Sequence, residues 1–290
     1  MERTRYLVVG AGVTGLAFAD WLRDEDCLIL EANEEIGGYC RTIKRDGFIW
    51  DYSGHFFHFR HPEIERYLVE RMGAQAVRRI SRESRIWYGD RFIDFPFQRN
   101  IRQLSEADYQ DCLRGLRERT KEEGGNFKDM LLARYGRGIA EKFLIPYNEK
   151  LYALNLSALD ADAMGRFFPH VSAEQILDEA LAPSADGYNA TFTYPEGGAI
   201  QYVQALARGI RPEQISLNER LLSLDLEQKV ATTTRRQIRY DSLISSAPLV
   251  RLLEICGLEY DASILSHNKV QVFNLGFDSK GPADVHWIYY

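Results

Sequence analysis

The stretch YLVVGAGVTGLAFADWLRDEDCLILE, residues 6–31, decides the fold. Tyr6–Val9 is a run of apolar and β-branched residues, the composition of a strand buried on both faces. It leads directly into Gly10, Gly12 and Gly15, spaced G-x-G-x-x-G, and then into a helical pattern through Leu16, Ala19 and Leu22. Cys27–Leu30 reads as a second strand, with Glu31 at its end. Each part has a physical task. Gly10 permits the tight strand-to-helix turn, Gly12 lets the backbone approach a pyrophosphate, and Gly15 lets the helix pack close to the sheet. The unpaired N–H groups at the helix start face the phosphates. Glu31 can accept hydrogen bonds from a ribose 2′-hydroxyl and would repel a 2′-phosphate. The glycine spacing alone is a weak signal, since a glycine-rich turn can bind nothing. Strand, glycines, helix, strand and acid in this order point to a dinucleotide site.

The next residues, EANEEIGGYCRT (31–42), add Gly37, Gly38, Arg41 and Thr42. A nicotinamide-binding fold does not require a second glycine pair here. This G-G-x-x-R-[ST] segment resembles that of FAD-binding proteins of the glutathione-reductase-like class. It looks like the clan that contains amine oxidases, protoporphyrinogen oxidase and UDP-galactopyranose mutase. The resemblance implies FAD as cofactor, with Gly37, Gly38 and Arg41 along the pyrophosphate and flavin. Taken without it, Arg41 is a solvated surface arginine. The implied fold class is α/β: a Rossmann-like, glutathione-reductase-type FAD-binding domain with a helical insert and a substrate-side antiparallel sheet.

The run WDYSGHFFHFRH, residues 50–61, holds three of the chain's six histidines, at 55, 58 and 61. A metal site, a membrane-seeking aromatic patch and the edge of a cofactor pocket are the possible readings. Asp46-Gly47 is a hairpin signal and Phe48–Trp50 a returning strand. Ser53-Gly54 then breaks the strand, so His55 lies on a turn and the histidine spacing is not that of a helix face. With no H-E-x-x-H pattern or nearby cysteine, no metal is expected. The run G-F-x-W-D-x-x-G-H resembles a flexible loop of the mutases in which a Gly-His pair lies against the flavin. Gly54 and His55 match that pair. His58 and His61 do not, and Phe56, Phe57 and Phe59 read as core.

Further segments carry the same resemblance. In DFPFQRNI, Phe97 and Gln98 match a P-[FY]-Q-x-N segment whose aromatic and glutamine hold the uridine, although Arg99 departs from the usual asparagine. An aromatic face beside an amide is a reasonable base-binding pair; a strand edge with a capping glutamine is the bland alternative. In NFKDMLLARYGRGIAEKFLIPYNEKLYAL (126–154), Asn126 is a plausible N-cap and Gly136 and Gly138 mark a break between two helices. Asn148 matches an asparagine that faces the nucleotide. Arg166 matches an arginine clamping the substrate diphosphate, a task suited to its planar fork, and otherwise reads as a surface ion pair. Asn189 matches a polar residue near the sugar. Tyr194, Pro195, Gly197 and Gly198 match a Y-P-x-G-G turn beside the flavin ring system. Trp287 and Tyr289 match an aromatic pair near the sugar.

The chain has 290 residues and a formal charge of −6, which argues against a broad nucleic-acid surface. Its four scattered cysteines form no C-x-x-C pair and fit a reducing cytoplasm. No segment reads as a membrane span. After Ile210 short strands return, at 215–217, 221–226, 229–233 and 237–239, and YDSLISSAPL (240–249) resembles a strand on the adenosine side. A last strand is expected to begin near Val270 and to end with VHWIYY, 285–290. The expected domains are a discontinuous FAD-binding domain, 1–75 plus 190–255, a helical insert over 100–185 capping the pocket, and a partial substrate-side sheet from 76–99 plus 256–290. The family's segment beyond H-W-x-Y, with a second diphosphate arginine and a further flavin segment, is absent, which reads as a shortened chain.

The resemblance implies a flavoenzyme interconverting pyranose and furanose forms of a nucleotide sugar through N5 of reduced flavin. Its catalytic pair would be His55 and Arg166, its substrate a small molecule such as a UDP-sugar, and its electron donor a reduced nicotinamide. The alternatives are an FAD oxidoreductase of the amine oxidase or protoporphyrinogen oxidase type, and an inactive FAD-binding fragment that needs a partner chain.

Overall fold

The computed structural model describes residues 1–120, 122, 124–178, 190–265, 267–281 and 285–290, and the side chain of Arg166 lies outside the description. The chain forms two compact units, one of Met1–Ile80 with Phe192–Gly276 and one of Ser81–Thr191 with Phe277–Tyr290.

The first unit is built on a six-stranded sheet. From one edge its strands are Leu221–Asp225, Val230–Thr233, Gln237–Ser245, Glu2–Val9, Cys27–Leu30 and Ile215–Ser216. Glu2–Val9 is central and pairs in parallel with both neighbours, Tyr6 opposite Cys27 and Val9 opposite Ser245. Alternate side chains leave on opposite faces. Val8 and Ile29 meet Leu16 and Ala19 of the helix Val13–Leu22 and Val203 and Leu206 of the helix Ile200–Ala207. Leu7, Val9, Leu28 and Leu30 meet Leu224, Ala231 and Ile238 on the other face. Both faces are covered, which is why these strands read as unbroken apolar runs. The strand expected over 237–239 continues to Ser245.

Beside this sheet stands the hairpin Thr42–Arg45 with Phe48–Asp51. Its two-residue turn has positive φ at both Asp46 (52°) and Gly47 (78°), the requirement that makes Asp-Gly a hairpin signal. No strand forms near Val270: residues 267–276 carry no sheet pairing, and Val270, Phe273 and Leu275 lie exposed. The alternating apolar residues there satisfy a strand pattern, but no hydrogen-bonded neighbour completes it among the described residues.

In the second unit, strands Ser84–Tyr88 and Arg91–Asp94 form a hairpin, and Trp287–Tyr289 adds in parallel to the first of them. These strands therefore group with the helices Glu106–Glu118, Phe127–Ile139 and Ile145–Tyr152. Asn126 caps the second helix, its Oδ1 accepting from the Asp129 N–H at 3.0 Å. The break falls at Gly136, with φ 69° and ψ 169°. A Cβ there would lie 2.0 Å from the Gly115 carbonyl oxygen, so the two helices cross at backbone contact.

One polar knot secures the outer strands of the first unit. Glu219 is sealed from solvent. Its carboxylate accepts from Ser216 Oγ at 2.5 Å, Thr233 Oγ at 2.7 Å, and Arg236 Nε and Nη2 at 3.0 and 2.8 Å. Burial alone would raise its pKa, but the bonds from Arg236, Ser216 and Thr233 outweigh that and hold it at about 2. Stability from a depressed carboxyl is fully present above its ordinary pKa of 4.5 and is lost as pH falls through about 2. Glu219→Gln is expected to lower the unfolding free energy near neutrality by about 3 kcal/mol and to flatten its fall on the acid side. Urea midpoints measured from neutral to acid pH check both effects.

Candidate flavin site

The glycine turn of the first unit opens onto free space. Gly10 has φ 99°, donates its N–H to the Leu30 carbonyl at 2.8 Å, and has no room for a Cβ, which would lie 2.5 Å from Ser246 Oγ. Gly15 packs against the same turn, where an added Cβ would fall 2.0 Å from the Gly10 carbonyl oxygen. Gly12 differs. It is the N-cap of the helix Val13–Leu22, makes no side-chain cap, and a Cβ placed on it meets nothing within 4 Å. The helix start thus presents N–H groups to an open cradle suited to a pyrophosphate.

The second glycine pair borders the same cradle. The Gly37 N–H donates to the Ala11 carbonyl at 2.8 Å, and the Cβ position of Gly38 lies 3.5 Å from Gly12 Cα. Glu31 is buried at the strand end. Its Oε2 accepts from the Ala11 N–H at 2.9 Å, and its Oε1 from the Asn33 N–H and Nδ2 at 2.9 and 2.7 Å. A carboxylate has about four acceptor sites, so capacity remains for a ribose hydroxyl. Asn218 and Glu219 donate their N–H groups to the carbonyls of Asn33 and Glu31, each at 2.8 Å, which ties this acid to the Glu219 knot. Arg41 donates Nε to the Gly38 carbonyl at 3.0 Å and lies over the Tyr52 ring. These residues fit a dinucleotide. Gly12→Ala is expected to keep stability within about 1 kcal/mol while weakening retention of added FAD about tenfold or more. Gly15→Ala is expected to lose about 2 kcal/mol or more of stability, because backbone must move. Thermal melts and cofactor dialysis separate the two.

A cavity of about 690 Å³ lies in the same unit, lined by Asp51, Gly54, Tyr194, Pro195 and Gly198 among others. This volume lies in the range of small-molecule sites. Gly197 is not among its lining residues; a Cβ on it would meet the amides of Gln75 and Gln201. His55 Nε2 is 2.7 Å from the Tyr39 carbonyl oxygen, so that nitrogen carries the proton and donates, and the ring is fastened to the second glycine segment. The other two histidines go elsewhere. His58 meets the Phe192 ring at its edge, and His61 Nδ1 lies 3.4 Å from Glu63 Oε1 at a helix start. Phe56 stacks on Phe192, and Phe57 and Phe59 pack on Tyr202. No cluster of three metal-binding side chains occurs among the described residues.

Two residues that the motifs contain without assigning them a task also belong to this site. Thr42 and Asp51 face each other across the hairpin. Thr42 Oγ donates to Asp51, and so does the Tyr194 hydroxyl. The helix Ile200–Ala207 has no local side-chain cap. Instead the Ala199 N–H donates to Asp51 at 3.1 Å and the Ile200 N–H to Thr42 Oγ at 3.1 Å. Burial, then the bond to Asp51 and its charge, push the Tyr194 phenol above its ordinary range, so it remains a donor. Cys40, nearby, is pushed up by burial and by the Asp51 charge.

The residues matched to the substrate lie in the second unit. Phe97 is fully buried and stacks on Phe143, with ring centroids 4.8 Å apart. Phe143 stacks on Tyr147, and Tyr147 meets Tyr289 edge-on at 5.2 Å. Arg82, which the sequence reading missed, donates to the Tyr289 hydroxyl at 2.9 Å. Trp287 lies 6.0 Å from Tyr289, centroid to centroid. Gln98 donates Nε2 to the Pro169 carbonyl and Asn148 donates Nδ2 to the Leu144 carbonyl, each at 2.7 Å. Both are buried, and Gln98 Oε1 and Asn148 Oδ1 have no partner. Buried acceptors are rarely left so. Arg166 lies in a 3₁₀ turn with its side chain outside the description, and Asn189 lies outside the described residues.

Comparison with known proteins agrees with this geometry. Residues 13–268 match the family described as flavin containing amine oxidoreductase. A crystal structure of reduced UDP-galactopyranose mutase is similar over 87% of this chain, with 29% identity and a TM-score of 0.81. A protein assigned as a protoporphyrinogen oxidase from Exiguobacterium sp. 255-15 shows 20% identity over 88% of the chain and a TM-score of 0.65. A putrescine oxidase variant shows 15% identity over 85% and a TM-score of 0.58, and these two share the fold. The chain spans 57%, 61% and 58% of the lengths of these three structures. No described helix is long and apolar enough to cross a membrane. The chain belongs to the family of flavin-containing amine oxidoreductases, and its cofactor is FAD.

Proposed function

We propose that this chain serves a flavoenzyme reaction of the UDP-galactopyranose mutase kind, the interconversion of pyranose and furanose forms of a nucleotide sugar. The observation that carries this reading is the 29% identity and TM-score of 0.81 to the reduced mutase, maintained over 87% of the chain. What bound, reduced FAD supplies is a nucleophilic nitrogen, N5, for the anomeric carbon. The chain's own groups bind and orient. The Gly54–His55 loop and the turn at Tyr194, Pro195 and Gly198 border the cofactor's ring system. Gln98 Oε1 and Asn148 Oδ1, both lacking partners, accept from the N–H of a base. Trp287 and Tyr289 line the sugar, and the further roles toward sugar and diphosphate fall, by resemblance alone, to Asn189 and Arg166. Reduced nicotinamide supplies the electrons that keep the flavin reduced.

A second reading, that the chain is an FAD-binding fragment whose turnover needs a partner chain, is favoured by the exposed Val270, Phe273, Leu275 and Phe277. The experiment is the visible spectrum of the purified protein, followed by assay with a UDP-sugar under reducing conditions. Flavin bands and furanose–pyranose exchange are expected. His55→Ala is expected to lower kcat about tenfold or more with FAD retained, and Glu31→Ala to lose FAD. Bound flavin without exchange, and with no thermal shift from UDP, would refute the mutase reading. Exchange that appears only with added partner polypeptide would support the second.

A further inference from the structure

One turn of the second unit is wound wider than an α-helix, and it comes just before the residue matched to the nucleotide. Between the helices Phe127–Ile139 and Ile145–Tyr152 the chain makes a single π-helical turn, Ala140–Leu144. Its closing bond runs from the Ile145 N–H to the Ala140 carbonyl, five residues back. Pro146 stands immediately after it. A proline has no N–H to give, and in a continuing α-helix its ring presses on the carbonyl four residues earlier, here that of Lys142. A turn that holds one extra residue carries this carbonyl off the ring, so the helix can continue past Pro146.

The wide turn also fixes where the later side chains point. Each helical residue advances about 100° around the axis, so one extra residue in a turn rotates everything beyond it by about that angle. The near side cannot rotate to compensate. A Cβ on Gly138 would fall 2.5 Å from the Asp111 carbonyl oxygen, and Lys142 Nζ lies 3.0 Å from both Asp108 Oδ1 and Asp111 Oδ2 of the helix Glu106–Glu118. On the far side Asn148 is sealed from solvent. Its Nδ2 donates to the Leu144 carbonyl at 2.7 Å, and its Oδ1 has no partner among the described residues. Phe143 stacks on both Phe97 and Tyr147, with centroids 4.8 and 5.1 Å away. These two rings belong to the residues just before Gln98 and Asn148, so the segments that carry the two unpartnered amide oxygens meet on one ring.

We propose that Pro146 is a positioning residue for the nucleotide: by withholding an N–H it keeps the turn Ala140–Leu144 wide, and the wide turn sets the helical phase at which Asn148 presents Oδ1. The proposal rests on the reading that Asn148 accepts from the base. In an α-helical run of the same residues Asn148 would stand about 100° further around the axis, away from the ring stack. The bond to Leu144 completes the arrangement. With Nδ2 spent on that carbonyl, the end of the amide left for a ligand is the oxygen, so the ligand atom it meets is a donor.

Calorimetric titration of the FAD-loaded full chain with UDP, beside thermal melts, tests this. Pro146→Ala is expected to melt at the same temperature or higher, because alanine restores the N–H and favours a helix. It is nevertheless expected to bind UDP about tenfold more weakly. Glu141 is an exposed residue of the wide turn. Deleting it in the Pro146→Ala chain removes the extra residue, which returns Asn148 to its phase in an unbroken α-helix. UDP affinity is expected to recover to within about twofold of the wild type. A proline that served stability alone would give no recovery from a second lesion. Unchanged UDP affinity in Pro146→Ala, a melting temperature that falls along with that affinity, or no recovery on deletion would each overturn the proposal. The NMR signals of the Asn148 side-chain amide, identified by their loss in Asn148→Ala, supply a readout independent of UDP. They are expected to shift in Pro146→Ala and to return in the deletion variant, and signals that do not move would also overturn it. If they move and return while Asn148→Ala binds UDP like the wild type, the link from Pro146 to Asn148 stands and the reading of Asn148 as a nucleotide contact fails.

Discussion

The helix Val13–Leu22 can lie on the first strand only because position 15 has no side chain. An added carbon would come within 2.0 Å of the Gly10 carbonyl oxygen, less than any non-bonded contact tolerates. That approach sets the direction of the helix start, and with it the cradle above Gly12 and beside Gly38. It also seats Leu16 and Ala19 on Val8 and Ile29, closing one face of the sheet. The missing side chains therefore serve two ends at different positions, close packing at Gly10 and Gly15 and an open cradle at Gly12. Gly10 and Gly15 have no room for a methyl group, whereas Gly12 has room that only a ligand uses.

Around that cradle, carboxylates that are buried or, for Asp51, half-buried join distant stretches of chain. Glu31 binds the turn at Ala11, Asp51 binds the helix start at Ala199, Glu219 binds Arg236, and Asp20 binds Arg71 and the Tyr67 hydroxyl. Each is surrounded by donors rather than left to face apolar side chains, as a buried charge requires. The thiols show the opposite case. Among the described residues no hydrogen-bond donor meets Cys27 or Cys112, and burial, only partly offset at Cys112 by the Lys142 charge, pushes them up to about 11 and about 12, so both remain protonated.

Local chemistry made much of the fold legible in the sequence. Asp46-Gly47 announces its hairpin because both residues accept positive φ. Gly136 announces the helix break because it takes a conformation that other residues avoid, and Asn126 announces a cap through a bond three residues away. The candidate cofactor cradle is equally local, contained in residues 6–42. What escaped reading is what sequence distance hides. Asp51 is recognisable as a clamp only once Tyr194 and Ala199, more than a hundred residues later, have come beside it. Glu219 and Arg82 likewise gain meaning from partners in space. The segment near Val270 misleads for the reverse reason: its alternation is that of a strand, but a strand also needs a neighbour, and periodicity does not record one.

The placement of Glu2–Val9 at the centre of its sheet has a consequence for how the chain emerges during synthesis. One parallel neighbour, Cys27–Leu30, follows at once, but the other, Gln237–Ser245, is made only near the far end of the described chain. At about 5–20 residues per second, the central strand waits on the order of ten seconds or more with one edge open. During that interval its bare N–H and C=O groups, flanked by Leu7 and Val9, form an edge that other chains can pair with. Yield in cells is thus governed by how well that edge is shielded before the second half of the sheet arrives, even where the finished fold is stable.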